Sequence, residues 1–427
     1  MLILFVEVVT IILILQAFPG SWRVTVRNSL LIILFWTLFW LLLVQLELAT
    51  ISPDGTYGSD ARYYYSEMVS SIKADRILPQ RGTLSPGYVA FGNIVLYTSP
   101  NVSVVWVKLA NIGLLLLTLE IGFYILFLWK VSKKVAQFLI ILAGTNGIVT
   151  WMVVRNLKDT MFLFLSFIVI AGTKILLDSK IRNLNLSKLV LGLSLLAGGT
   201  YLLRLVRPWG YYFAFATIVA VLVEFIGNYK YITKSKIFGI PSLLLLILCL
   251  IIFSQLQNAL KDYEILLDFA ESWRYTMEFN LFTLVQELGR LFVGPGPIRP
   301  IFGWDVFLHT TTFGNVLITL GAIVWWIYLP VLLFALIAGP KYWIEHASFL
   351  IPLLVFSFVY SFTYSGTADT RFRAVIYIMS FILTGPYFQK FLKENTKEYY
   401  LRYLLASAFV WLYGIVTSYW SMVELIK

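Results

Sequence analysis

Cysteine is almost missing from this sequence: Cys249 is the only one in 427 residues. It lies inside an apolar run, so no disulfide can close within the chain. Histidine is nearly as scarce. His309 and His346 stand far apart with no Cys, His or Asp cluster beside either, which argues against a dedicated zinc site. Charge is the third shortage. Only 13% of residues are Asp, Glu, Lys or Arg, where a soluble domain carries roughly a quarter.

What fills the chain is apolar: 59% hydrophobic and 17% aromatic residues, with a mean hydropathy of +0.83. Runs of about 17–25 apolar residues recur, each long enough to cross a bilayer as a helix. Lipid offers no hydrogen-bond partners, so these runs are expected to be helices. The alternating ten-residue pattern of an outer-membrane barrel is not seen. The opening run lacks a basic flank and a small-residue cleavage site, so it reads as retained and not as a signal peptide. It is the least secure of the spans. Further runs lie at 30–49, 104–129, 136–154, 160–177, 189–203, 211–227, 237–253, 316–338, 349–364, 374–388 and 403–420. The expected fold is all-α: one polytopic membrane domain over 1–427 with about eleven spans.

Charge orients it. The short loops 21–28, 130–134, 178–188, 228–236, 339–346 and 390–402 together hold 16 Lys or Arg against 4 Asp or Glu. Basic loops stay in the cytoplasm. The net charge of +11 is therefore a mark of topology, and nucleic acid is not expected as a partner. The long polar segments 51–101 and 254–312 then face outward, as do 155–159 (RNLKD), 204–209 (RLVRPW) and 367–373 (TADTRFR). The expected location is the cell membrane, with any site on its extracytoplasmic face.

Outward loops do not need basic residues, yet these carry Arg62, Arg81, Arg155, Lys158, Arg204, Arg207, Arg299, Arg371 and Arg373. Such a set suits an anionic ligand at the membrane surface, held by charge-assisted contacts. Lipid head groups or local ion pairs with Asp54, Asp60, Asp159 and Asp369 are the plainer explanation for any single one. In 51–101, SDARYY opens a short helix, with Tyr63 and Tyr64 following Asp60 at helical spacing. Ser59 or Asp60 can serve there as a helix N-cap, and Asp60 can also act as a general base. SPGYVAFGNIVLY reads as a second surface helix with Pro86 in its first turn. Residues 254–289 space their apolar side chains as an interfacial amphipathic helix does. Arg299 sits in a Pro/Gly-rich loop that reads as a lid or rim. Glu7, Glu120 and Glu224 lie inside apolar runs, where they are expected to pair or to snorkel to a span end.

The order DARYY, SPGYVAFGNIVLY, VKLANIGLLLL, RNLKDTMFLFL and GTADTRFRAVIYIMSFILTGPYF resembles the GT-C superfamily. Its members are polyprenyl-phosphate-sugar-dependent membrane glycosyltransferases. The resemblance implies a GT-C fold and a catalytic acid in the first outward loop, for which Asp60 is the candidate and Asp54 its rival. It implies a second acidic position at Asp159, with Arg155 and Lys158 as phosphate contacts, and a donor-phosphate clamp from Arg204, Arg207 and Arg371 or Arg373. Many relatives carry a tandem acidic pair in the first loop; here Asp60 is followed by Ala61, and no metal is assigned.

The leading expectation is thus an inverting, metal-independent, cofactor-free transfer of a sugar from a polyprenyl-phosphate carrier to a glycan, lipid or protein acceptor. A polymerase or ligase acting on lipid-linked polysaccharide is the alternative within enzymes. A lipid or oligosaccharide flippase or transporter is the alternative outside them; it calls for charged residues at mid-membrane and broken helices.

Overall fold

The structure is a computed structural model. It describes residues 1–80, 82–181, 186–228, 288–289, 291–294, 311–364, 370–394 and 397–426. Among these, every regular element is a helix. In chain order the first ten are α1 (Leu2–Gln16), α2 (Gly20–Ile51), α3 (Ser59–Lys73), α4 (Pro86–Tyr97), α5 (Val104–Leu128), α6 (Lys133–Gly144), α7 (Gly147–Val154), α8 (Asp159–Ile181), α9 (Leu186–Val206) and α10 (Gly210–Asn228). Then come α11 (Thr312–Leu336), α12 (Pro340–Glu345), α13 (Ala347–Tyr364), α14 (Thr370–Leu383), α15 (Gly385–Glu394) and α16 (Lys397–Ile426).

Six of the described helices are long and apolar enough to cross a membrane, or up to eight if each of two bent pairs is one span. The protein is therefore a polytopic, all-helical membrane protein. The expected span 237–253 and most of the segment 254–312 lie outside the described residues. Span ends differ from the apolar runs in an instructive way. α2 extends over 32 residues, so Arg23 and Arg27 sit inside it instead of before it. Backbone hydrogen bonding does not stop where side chains turn polar; Pro19, which cannot continue a helix backwards, marks the start.

The core is built around α5, which packs against α1, α2, α6 and α8. Without a hydrophobic drive in lipid, such packing relies on close contact of side chains and small residues. α8 and α9 approach where a Cβ on Gly172 would stand 2.9 Å from the Leu196 backbone nitrogen. α6 and α7, expected as one span, are two half-helices bent by 51°. Asn146 accounts for the break. Its Oδ1 accepts from the amides of Ile148 (2.9 Å) and Val149 (3.4 Å), and its Nδ2 donates to the Gly321 carbonyl of α11 at 3.1 Å. It caps α7 and ties the break to a neighbouring span. Asn146→Ala removes a buried cap and the tie to the Gly321 carbonyl. It should destabilise the protein by about 1–3 kcal/mol, measured as a fall in unfolding temperature in detergent.

The three acids in apolar helices do not share one fate. Glu224 pairs, as expected, with Lys174, and also accepts from Trp129 Nε1 (2.9 Å) and the Ser348 amide (3.1 Å). Glu7 and Glu120 do not fit the expectation. Both are buried, and neither carboxylate oxygen of either residue has a hydrogen-bond partner among the described residues. Glu7 is the only buried residue of α1 and lies against Gly113 of α5. The gap left by that glycine is what lets α1 dock.

Candidate functional site

At the end of the bundle where α2 ends and α5 begins, the surface helices α3 and α4 cover the RNLKD turn. The turn is locally determined. Arg155 follows the last residue of α7 and Asp159 is the first residue of α8. A cation thus sits at a helix C-terminus and an anion at an N-terminus, each favoured by the helix dipole. Asn156 reverses the chain in the left-handed region at φ 62°, which asparagine tolerates better than most residues.

Asn156 also organises what surrounds it. Its Oδ1 accepts from the Tyr88 hydroxyl at 2.8 Å, and Tyr88 in turn accepts from Asn111 Nδ2 at 3.0 Å. Its Nδ2 donates to the Ala61 carbonyl at 3.4 Å. α3, α4 and α5 are thereby pinned to one turn. Burial, despite the bond from Asn111, holds the Tyr88 phenol well above its ordinary pKa, so it stays a neutral linker.

The charged groups collect around this frame. Lys158 Nζ donates to Ser85 Oγ at 2.6 Å and lies 5.5 Å from the Tyr64 ring centroid. Ser85 itself is buried and held in the left-handed region at φ 55°, a conformation that costs a non-glycine residue energy and gathers at functional sites. Asp159 and Arg207 form an ion pair with side chains 1% and 4% exposed. The Arg207 guanidinium carbon sits between four rings, 5.5 Å from Phe162, 5.7 Å from Trp209, 5.4 Å from Tyr360 and 5.5 Å from Phe372. Phe372 and Arg373 belong to the first turn of α14, so that helix joins the site. Arg373 is buried and its Nε donates to the Leu291 carbonyl at 3.3 Å.

Arg155 lies over Tyr57 and Trp151, at 5.8 Å and 5.5 Å. It also lies against Gly58, where φ is +88° and a Cβ would come within 2.8 Å of Nη2. Only glycine fits that position. Gly58 is the N-cap of α3 and makes no side-chain cap; Asp60, in the first turn, is not the cap either. The capping role considered for Ser59 or Asp60 is thus not observed, because the glycine that clears Arg155 takes that place. Asp60 is half-buried. Its charge, together with those of Arg207 and Asp159, acts on the Tyr64 phenol. Desolvation first and Asp60 second raise the pKa of Tyr64, against the Ser85 hydrogen bond and Arg207. One phenol thus senses Asp60, Asp159 and Arg207 at once, so these three share a neighbourhood with Lys158 and Ser85.

Asp54 is elsewhere. Its Oδ1 accepts from the Ser52 hydroxyl (2.6 Å), the Thr56 amide (3.0 Å) and the Thr56 hydroxyl (2.7 Å). Desolvation works to raise its pKa, but these bonds and Arg62 outweigh it and hold the carboxyl below its ordinary value. A carboxylate stabilised in this way is a weak base. Of the two rivals, Asp60 is the one beside the cationic cluster.

The remaining expected residues scatter. Arg62 is exposed on α3 and Arg204 is exposed in the last turn of α9. The Tyr63 hydroxyl accepts from the Leu84 amide at 3.0 Å and braces the α3–α4 loop. Arg81, Arg299 and the side chain of Arg371 lie outside the described residues. The reading of the sequence missed Ser85, Tyr88, Asn111 and Asn156, and the cage rings Phe162, Tyr360 and Phe372. Ser85 had a signal, a serine immediately before the Pro–Gly that opens a helix. The rings had none, since aromatic residues are spread throughout the chain.

Among the described residues no group of three or more His, Cys, Asp or Glu suits a metal ion. The cluster brings the Lys158 ammonium and the Ser85 hydroxyl, groups that suit an anion of phosphate type, beside the ring-enclosed Arg207–Asp159 pair, with half-buried Asp60 at its edge and Arg155 on the same turn. No family model, no curated protein and no solved structure matches this chain.

Proposed function

We propose that the protein is a membrane glycosyltransferase that moves a sugar from a polyprenyl-phosphate carrier to a hydroxyl- or amine-bearing acceptor at the extracytoplasmic face. The observation that carries this reading is the gathering of Lys158, Asp159 and Arg207 with Asp60 about Tyr64 at one end of the bundle, with Arg155 on the same turn over Tyr57 and Trp151. By the charge of the short loops, that end is the outer one. The short motifs that resemble the GT-C superfamily run through these same residues, and a GT-C arrangement of about eleven spans belongs to the same proposal.

Lys158 and Ser85 receive the carrier phosphate, and Arg155 and Arg207 oppose the charge that grows on it as the glycosidic bond breaks. Asp60 takes the proton from the acceptor as its oxygen or nitrogen bonds to the anomeric carbon on the opposite face, which inverts the configuration. Asp159 holds Arg207 in place. The test is reconstitution: the chain in liposomes containing a polyprenyl-phosphate hexose, with products followed by mass spectrometry. Release of the free polyprenyl phosphate together with an acceptor carrying one more hexose is expected. Movement of an intact lipid-linked sugar across the bilayer with no covalent product overturns the reading.

That outcome favours a transporter, the second reading, which has its own support. Glu7 and Glu120 lie in apolar helices without hydrogen-bond partners among the described residues, and α6 and α7 form a bent pair. Both are features of transport pathways. Under the transferase reading Glu120→Gln should change transfer by less than about threefold, since a neutral isostere costs little where no charge is needed. Loss of lipid-linked sugar movement in Glu120→Gln, measured by fluorescence quenching across the bilayer, would point to the second reading.

A further inference from the structure

α3 has a second polar side. Tyr64 faces the cationic cluster, but Tyr65, its neighbour in sequence, lines a separate cavity of about 250 Å³ together with Gln45, Ser52, Asp54 and Ser103. The chemistry of its lining is specific. Asp54 Oδ1 is saturated by three donors, which fixes the carboxylate and leaves Oδ2 as an acceptor. Ser103 Oγ accepts the Val105 amide at 3.4 Å, which leaves its hydroxyl proton as a donor. Gln45 Oε1 accepts from Lys108 Nζ at 2.7 Å. That bond sets the amide, so its Nε2 is the donor that remains. Tyr65 adds an aromatic wall, its hydroxyl anchored to the Val102 carbonyl at 3.2 Å.

Lys108 is what gives this cavity its form. It is fully buried at the start of α5, and besides Gln45 it donates to the Gly55 carbonyl at 2.9 Å. Gly55, at φ +65°, leaves no room for a Cβ beside Gln45 Nε2. The loop and the amide are thus locked together from beneath. The fixed Asp54 carboxylate at the wall disfavours anions.

We infer that this chamber is a binding site for a neutral polyhydroxylated ligand, a sugar ring or a polyol. A carboxylate and an amide at fixed positions satisfy neighbouring hydroxyls as acceptor and donor, Ser103 reaches a third, and the Tyr65 ring covers the apolar face of the sugar. The site stands whether or not the protein transfers sugars. If it does, the chamber is the acceptor's place, with α3, a helix roughly 10 Å across, between it and the donor cluster.

The test is ligand-observed saturation-transfer NMR on the full chain in phosphatidylcholine nanodiscs. Methyl glucoside, methyl mannoside, N-acetylglucosamine and inositol serve as probes, and a second set of discs doped with a glucosyl diacylglycerol serves as competitor. At least one probe is expected to bind, and Asp54→Asn and Gln45→Met to weaken it about tenfold, the loss of roughly one hydrogen bond to a charged or fixed group. Lys341→Ala, at an exposed residue of α12, should leave the affinity unchanged. Displacement by the doped lipid assigns the site to a lipid-linked sugar; its absence assigns it to a free or glycan-borne one. The inference is overturned if no probe binds, or if both chamber variants bind as the wild type does. Monodispersity of each variant separates loss of binding from loss of fold, and failure of hexose transfer leaves this binding result intact.

Discussion

Arg207→Met is expected to destabilise the protein by about 3–5 kcal/mol, because it leaves Asp159 buried without its cation. Asp159 is only 1% exposed, so water cannot replace the guanidinium. The four rings around Arg207 would also lose the cation they enclose. Stability alone does not show function, and a second variant separates the two. Arg207→Met combined with Asp159→Leu replaces a buried pair by apolar groups of similar bulk, which is often neutral for folding. The double variant should recover most of the unfolding temperature lost in the single one. Transfer should not recover. Loss of one preorganised group at the leaving phosphate costs about 10²–10³ in turnover. Recovery of both stability and transfer would reduce Arg207 to a structural residue.

Asp60→Asn carries the second large effect, and here stability is expected to hold. Asp60 stands in the first turn of α3, where an acid gains about 0.3–1 kcal/mol from the helix dipole, and the isosteric amide keeps the shape of the side chain. Transfer should fall about 10²–10⁴-fold, the usual contribution of a positioned general base. Asp54→Asn should leave the rate at saturating acceptor within a few-fold of the wild type and act on acceptor affinity, because Asp54 lies in the other chamber. The comparison is made at saturating acceptor by mass spectrometry of product. Asp54→Asn abolishing turnover while Asp60→Asn does not would exchange their roles.

Much of this architecture was legible because lipid simplifies the rules. A backbone in a bilayer must bond to itself, so apolar length alone marks helices such as α5 and α11. The surface helices α3 and α4 were readable for local reasons: tyrosines at helical spacing after Asp60, and a proline at the first position of α4. The extent of α2 was not, since helical hydrogen bonding runs on through Arg23 and Arg27. Nor was the break at Asn146. That residue looks like any polar residue in a span until Gly321, far along the chain, supplies the carbonyl it holds.

The site divides in the same way. The local chain determines the RNLKD turn, its asparagine reversal and the placing of Arg155 and Asp159 at opposite helix ends. Composition and loop charge determine that these residues gather on one face. Pairing Asp159 with Arg207, and closing Phe162, Trp209, Tyr360 and Phe372 around it, were decided by packing between helices distant in sequence. Asp54 and Asp60, six residues apart and similar on paper, have different surroundings: Asp54 is bonded to Ser52 and Thr56 in the loop before α3, while Asp60, in the first turn of α3, acts on Tyr64 beside Lys158. Spacing along a chain records neighbours along one helix; only the packed bundle determines which faces of different helices meet.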